Sequence, residues 1–218
     1  MNATRTIHMA GAGLLAGLLA LAGCALGPQA REAPVVYDLG PPRGYPAVNP
    51  PLAAPLLIPV VAAPAWLETN GIVYRLAFQD PARTQFYSAA RWAAPPAALL
   101  TQQLRGRFAA ASASGVVTGH GGARADYALH VELEDFSQTF DTPGASRVVV
   151  RARATLVDLA TRTLVAQRGF GVERAAPSAD ARGAVAAFGE ASDELARGLL
   201  AWTGEQISGA RRKPGAGR

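Results

Sequence analysis

Ten of the chain's sixteen prolines fall between Pro28 and Pro64, and this bias rules out a long helix in that stretch. Proline removes a backbone donor and clashes with the preceding helical turn. Leu52 to Leu67 is apolar enough for a membrane, but Pro55, Pro59 and Pro64 break a helix there. A bulged or edge strand over Leu56 to Ala62 fits better. Before it, Val35-Val36-Tyr37-Asp38-Leu39 reads as a short first strand, stopped by Gly40-Pro41-Pro42.

Further upstream, the only cysteine, Cys24, follows Leu21-Ala22-Gly23 at the end of an uncharged run beginning at Met9. Arg5 supplies a thin positive n-region, and the run is short of the roughly 20 apolar residues that span a bilayer. This is the pattern of a bacterial lipoprotein precursor, cleaved between Gly23 and Cys24 and acylated on the Cys24 thiol. Thioether linkage to diacylglycerol takes the lone thiol out of redox chemistry. With an added N-acyl chain it passes the two-signal threshold for stable anchoring. That covalent lipid is the only non-protein group expected. Residues 1–23 then form the signal peptide and 24–34 an acylated tether whose residues 25–34 reach roughly 35 Å when extended. Residues 35–208 form one domain, and 209–218 a basic, disordered tail.

The formal net charge of +5 invites a nucleic-acid reading. However, Arg211, Arg212, Lys213 and Arg218 sit in the tail, and between Cys24 and Gly209 sixteen arginines balance sixteen acids. With no basic stripe and no interleaved aromatic platform, nucleic acid is disfavoured as a partner.

Beyond the proline-rich stretch, Gly71 to Phe78 reads as a strand ended by Gln79-Asp80-Pro81, and Gln85 to Trp92 as the next. Pro95-Pro96 opens a helix carrying Leu99, Leu100, Leu104 and Phe108 and ending near Ser114-Gly115. Val116-Val117-Thr118 is a short strand. Ala125 to Phe136 alternates, with Tyr127, Leu129, Val131 and Leu133 on one face and His130, Glu132 and Glu134 on the other. A Pro143-Gly144 loop leads to Arg147–Asp158, whose Arg147, Arg151 and Arg153 share a wet face, and Thr163 to Val172 follows as a strand. From Gly183, Val185, Phe188, Ser192, Leu195, Leu199 and Trp202 form a helical stripe. The sum is a single α+β domain with two amphipathic helices packed on a mostly antiparallel or mixed sheet.

Catalytic chemistry is thin. Gly119-His120-Gly121-Gly122 lacks the Gly-x-Ser-x-Gly elbow that would supply a nucleophile. His130, Glu132 and Glu134 lack metal-ligand spacing, so no metal is expected. A solvated strand face explains them, and it predicts that Glu132 or Glu134 meets Arg151 or Arg153 across a hairpin. An enzyme is the poorer reading.

Taken in order, the Cys24 motif, Tyr37-Asp38-Leu39-Gly40, Pro64-Ala65-Trp66-Leu67-Glu68-Thr69 and Ile72-Val73-Tyr74-Arg75-Leu76 resemble the ABC-type transport auxiliary lipoproteins. Tyr87-Ser88-Ala89-Ala90-Arg91-Trp92-Ala93-Ala94-Pro95-Pro96, Leu129 to Phe136 and the closing helix to Trp202 are similar to that family too. The likeness covers nearly all of residues 35 to 203; the proline-rich Pro41–Pro51 and the basic tail depart from the pattern. The resemblance implies a non-catalytic, periplasm-facing lipoprotein beside an ABC ATPase, a permease and a mammalian-cell-entry (MCE) domain protein, moving lipids between two membranes. It implies docking onto the MCE protein, for which Trp66, Leu67, Tyr74, Arg75, Arg91 and Trp92 are the nominated residues, exposed Trp, Tyr and Arg being favoured at interfaces. Ala25 after Cys24, where Asp would favour inner-membrane retention, points to the inner leaflet of the outer membrane. Homo-oligomerisation stays open. The alternatives are a pilot lipoprotein for an outer-membrane channel or lipopolysaccharide export machine and, behind it, an anchored hydrolase.

Overall fold

The computed structural model describes residues 33–41, 52–118 and 123–212. Gly23, Cys24, most of the tether, the Gly119–Gly122 stretch and residues 213–218 lie outside the described residues.

Among the described residues, eight strands, β1 (Val35–Tyr37), β2 (Leu56–Leu57), β3 (Gly71–Leu76), β4 (Thr84–Trp92), β5 (Val116–Val117), β6 (Tyr127–Thr142), β7 (Ala145–Asp158) and β8 (Thr163–Ala175), join two α-helices, α1 (Pro96–Ala111) and α2 (Ala181–Arg212). β6 is the spine of one mixed sheet. β7 pairs antiparallel along one flank, with β8 antiparallel beyond it. The other flank is shared by β2, parallel to the start of β6, and β3, parallel to its end. β4 then pairs antiparallel with β3, β1 parallel with β4, and β5 parallel with β2. This is the expected single α+β domain.

The prolines shape the β2 to β3 run. The strand expected over Leu56 to Ala62 is reduced to Leu56–Leu57 and one bridge from Ala62 to Glu132. Pro55 and Pro59 have no N–H, so pairing survives only where a donor exists: Ile58 N–H donates to the Val117 carbonyl (3.1 Å) and Ala62 N–H to that of Val131 (3.0 Å).

The β6–β7 alternation is as read, up to one irregularity. Register slips between Leu133↔Ala152 and Asp135↔Arg151, so Phe136 joins Leu129 and Leu133 on the helix side instead of falling opposite. The bulge thereby builds the centre of the core. Phe136 stacks on Phe188 of α2 with centroids 4.2 Å apart, and Trp92 meets both rings edge-on at 5.8 and 5.6 Å. From α1, Leu100, Leu104 and Phe108 are fully buried in the same cluster. Pro96 at the first turn suits α1, since its missing N–H would have no helical partner there. α1 stops at Ala111, short of the expected Ser114-Gly115, because Ser112 is already extended and bridges Leu52.

Two buried charges lie between the helices: Arg107 of α1 pairs with Asp193 of α2, which also binds Arg197 one turn on. α2 runs on to Arg212, so residues 209–212, expected in the tail, are its last turn. Arg211 and Arg212 there complement the helix dipole, and Arg211 reaches Asp126 at 3.5 Å. Among the described residues no helix is long and apolar enough to cross a membrane.

Candidate docking surface

Both helices contribute to the core on one side of the sheet, and the other side, where Val73 is also buried, is read by residue type. Its β6–β7 half is a charge lattice. Arg153 donates to Glu134 Oε1 through Nε (2.9 Å) and Nη2 (2.6 Å), the predicted contact across the hairpin. Arg147 bridges Asp141 and Glu173, and Arg151 reaches Glu173 at 3.5 Å. The hydrogen bond from Glu134 raises the Arg153 pKa, as that from Asp141 does for Arg147. These groups neutralise one another, so they offer little to an anionic ligand. Among the described residues no three His, Cys, Asp or Glu side chains converge as a metal site, the His130, Glu132 and Glu134 set included.

The β3–β4 half differs. The Arg75 guanidinium lies over the Trp66 ring, 5.3 Å from its centroid, with Trp66 presented by a short 3-10 turn at Ala65–Leu67. Val73, of the same parity as Arg75, pairs with Phe86. Phe86 is 48% exposed, and its ring covers Gly71 so closely that a Cβ there would come within 2.3 Å of it. Only glycine admits that approach. Arg91, exposed, is in register with Gly71 on one side and Val36 on the other.

Of the six nominated residues, Trp66, Arg75 and Arg91 fall on this open side and the other three do not. Leu67 and Trp92 are each 1% exposed and belong to the core, which corrects their nomination. Strand parity is the reason for Trp92, which alternates with Arg91; Leu67 is the buried end of the 3-10 turn. Tyr74 is corrected likewise. It faces the helix side, 4.8 Å from the Tyr87 ring and 5.9 Å from Phe140, its hydroxyl donating to Gln85 Oε1 at 3.0 Å. Phe86 is the residue the sequence did not reveal. It stands an odd number of residues from Arg91, and only the irregular register between Gly71 and Val73 brings both to one side.

Behind Tyr74, the Tyr87 hydroxyl donates to Gln138 Oε1 at 2.8 Å, and Gln138 in turn donates to Ser146 Oγ at 2.8 Å. Burial, then the charges of Tyr74 and Asp180, push the Tyr87 pKa from 10.0 to about 12. A pKa raised on folding means that the unfolded chain loses its proton first. The Tyr87 contribution is therefore complete below pH 10 and is lost as pH rises towards 12. Urea midpoints measured across that window should fall more steeply for wild type than for Tyr87→Phe.

Comparison with known proteins bears on the family and the fold. A family profile described as ABC-type transport auxiliary lipoprotein component matches residues 37–199. No curated protein sequence matches. Among solved structures, a Xanthomonas campestris protein is similar at TM-score 0.67 and 24% identity, covering 83% of this chain and 98% of that one. An uncharacterized protein follows at TM-score 0.58 and 20% identity (79% and 99% covered), and a hypothetical protein of Chlamydia trachomatis at 0.50 and 10% (70% and 97%). At these identities the structural likeness speaks for the fold alone. The profile spans most of the domain, including β3, β4 and the open side they build, and on that match the chain belongs to the ABC-type transport auxiliary lipoprotein family.

Proposed function

We propose that this chain is a lipid-anchored, non-catalytic docking subunit of an MCE-type lipid transport system. Cys24 holds it by covalent lipid to the inner leaflet of the outer membrane, facing the periplasm, and the open side of the β3–β4 half binds the MCE-domain protein. The observation that carries this reading is the placing of Trp66, Arg75, Phe86 and Arg91 together on the side of the sheet turned away from the two helices. Aromatics and arginine are the residues that dominate protein interfaces. A half-exposed Phe86 and an arginine stacked on Trp66 offer rigid contact area at low ordering cost. The tether confines the surface to one leaflet, which raises its effective concentration towards a partner there without any new contact.

Co-isolation from detergent-solubilised membranes tests this. Wild type should bring down the MCE-domain protein, and Trp66→Ala with Arg91→Glu should lose at least about ten-fold of it, as loss of a central aromatic and an arginine does elsewhere. Arg91 is exposed and Trp66 only partly buried against the core, so the double variant should still unfold in one cooperative transition, at a modestly lower melting temperature. Cys24→Ala should leave the membrane fraction altogether. Full co-isolation by the folded double variant would refute the docking surface, and membrane retention of Cys24→Ala would refute the anchor.

A further inference from the structure

The 13-residue strand β8 pairs only with β7, so among the described residues its outer edge meets no strand. Natural sheets blunt such an edge with proline, lysine or a covering loop. β8 contains neither proline nor lysine, and its two arginines fold back: Arg174 is tied to Glu194 of α2, and Arg168 lies over its own neighbour Phe170 at 5.1 Å.

Alongside this edge, between β8 and α2, runs a groove of about 270 Å³. Phe170 and Trp202, edge to face at 5.7 Å, line it with Leu195. Gly198 keeps it open. Mid-helix glycine weakens a helix, yet nothing nearby demands it, since an added Cβ would meet only the Phe170 ring at an ordinary 3.7 Å. Arg168 and Glu205 stand on the groove with opposite charges, and neither has an ion-pair partner among the described residues.

We infer that the β8 edge and this groove form a strand-addition site for an extended segment of a partner polypeptide, carrying a large apolar side chain with an acidic residue two positions away. An extended backbone is the ligand that satisfies a row of strand N–H and C=O groups, which a lipid or a docked helix cannot do. Residues two apart in a strand share a face, and that is the separation of Arg168 and Phe170. A segment whose apolar side chain aligns with Phe170 and Gly198 drops it into the groove, and its neighbour two positions on meets the Arg168 guanidinium. The site lies at the edge of the sheet opposite β1 and β4, so it stands independently of the docking surface proposed above.

The probe is a capped eight-residue peptide, Thr-Val-Thr-Leu-Thr-Glu-Thr-Thr, and its counterpart with Lys in place of Glu, each titrated into isotope-labelled mature protein. Saturable amide shifts confined to β8 and to α2 around Gly198 are expected with the Glu peptide. Gly198→Leu, which fills the groove, should weaken binding at least ten-fold. Arg168→Glu, an exposed change that spares the core, should reverse the preference towards the Lys peptide. Absence of saturable shifts, or binding indifferent to both variants, would overturn the site. So would protection of the β8 edge by a concentration-dependent dimer of the free protein, which would assign that edge to a second copy.

Discussion

Phe188→Ala should remove about 3–5 kcal/mol of folding stability, the usual cost of emptying a buried aromatic site. For a domain with a total of about 5–15 kcal/mol, that is a large fraction. Phe188 is fully buried, stacked on Phe136 and set T-shaped against Trp92, so its deletion strips contacts from two other large rings at once. Collapse of α2 into the space is hindered by its neighbour Gly189, where even a Cβ would come 3.1 Å from the Leu39 carbonyl oxygen. The cavity therefore stays open. In urea titrations the midpoint should drop with the slope unchanged, and Phe188→Leu should recover roughly half of the loss. A cost under about 1 kcal/mol would mean that the three rings are not the centre of the core.

Asp193→Ala should be nearly as severe, at about 3–5 kcal/mol, because it takes the carboxylate away from a guanidinium already out of water. The Asp193 and Arg107 side chains are 9% and 7% exposed. This is a statement about breaking the pair, not about its net worth. Replacing both residues together, Arg107→Met with Asp193→Leu, removes the desolvation cost with the attraction and should lie much closer to wild type. A double-mutant cycle by chemical denaturation reads the difference. If the double variant is as unstable as Asp193→Ala alone, the penalty is lost packing between α1 and α2, not loss of the ion pair.

The parts of this fold that could be read from the sequence are those where one periodicity governs. Val148, Val150, Ala152, Ala154 and Leu156 alternate against Arg147, Arg151 and Arg153 in β7, and the stripe from Val185 to Trp202 gives α2; both hold in the structure. The contact between Glu134 and Arg153 followed from that alternation. The slip at Leu133/Asp135 was not legible, because an extra residue in a strand leaves no compositional mark, yet it decides that Phe136 faces Phe188. Nor was it legible that β2 and β3 share one flank of β6, since pairing register is a property of two segments and periodicity of one. The docking surface was half legible for the same reason. Residue type singled out Trp66, Arg75 and Arg91 along with Leu67, Tyr74 and Trp92, but it does not say which strand face or which end of the 3-10 turn is the open one, and Phe86 joins them only through register. The β8 edge groove was hidden altogether, since Gly198 reads in sequence as an ordinary helix blemish until Phe170 is placed beneath it.

Site-specific photo-crosslinking in intact cells tests anchored docking most directly. p-Benzoylphenylalanine replaces either Arg91, on the open side, or Glu190, exposed on α2. Anchored docking through the open side predicts a covalent adduct with the MCE-domain protein from position 91 and none from position 190. Adducts from position 190 alone, or equally from both, would contradict it.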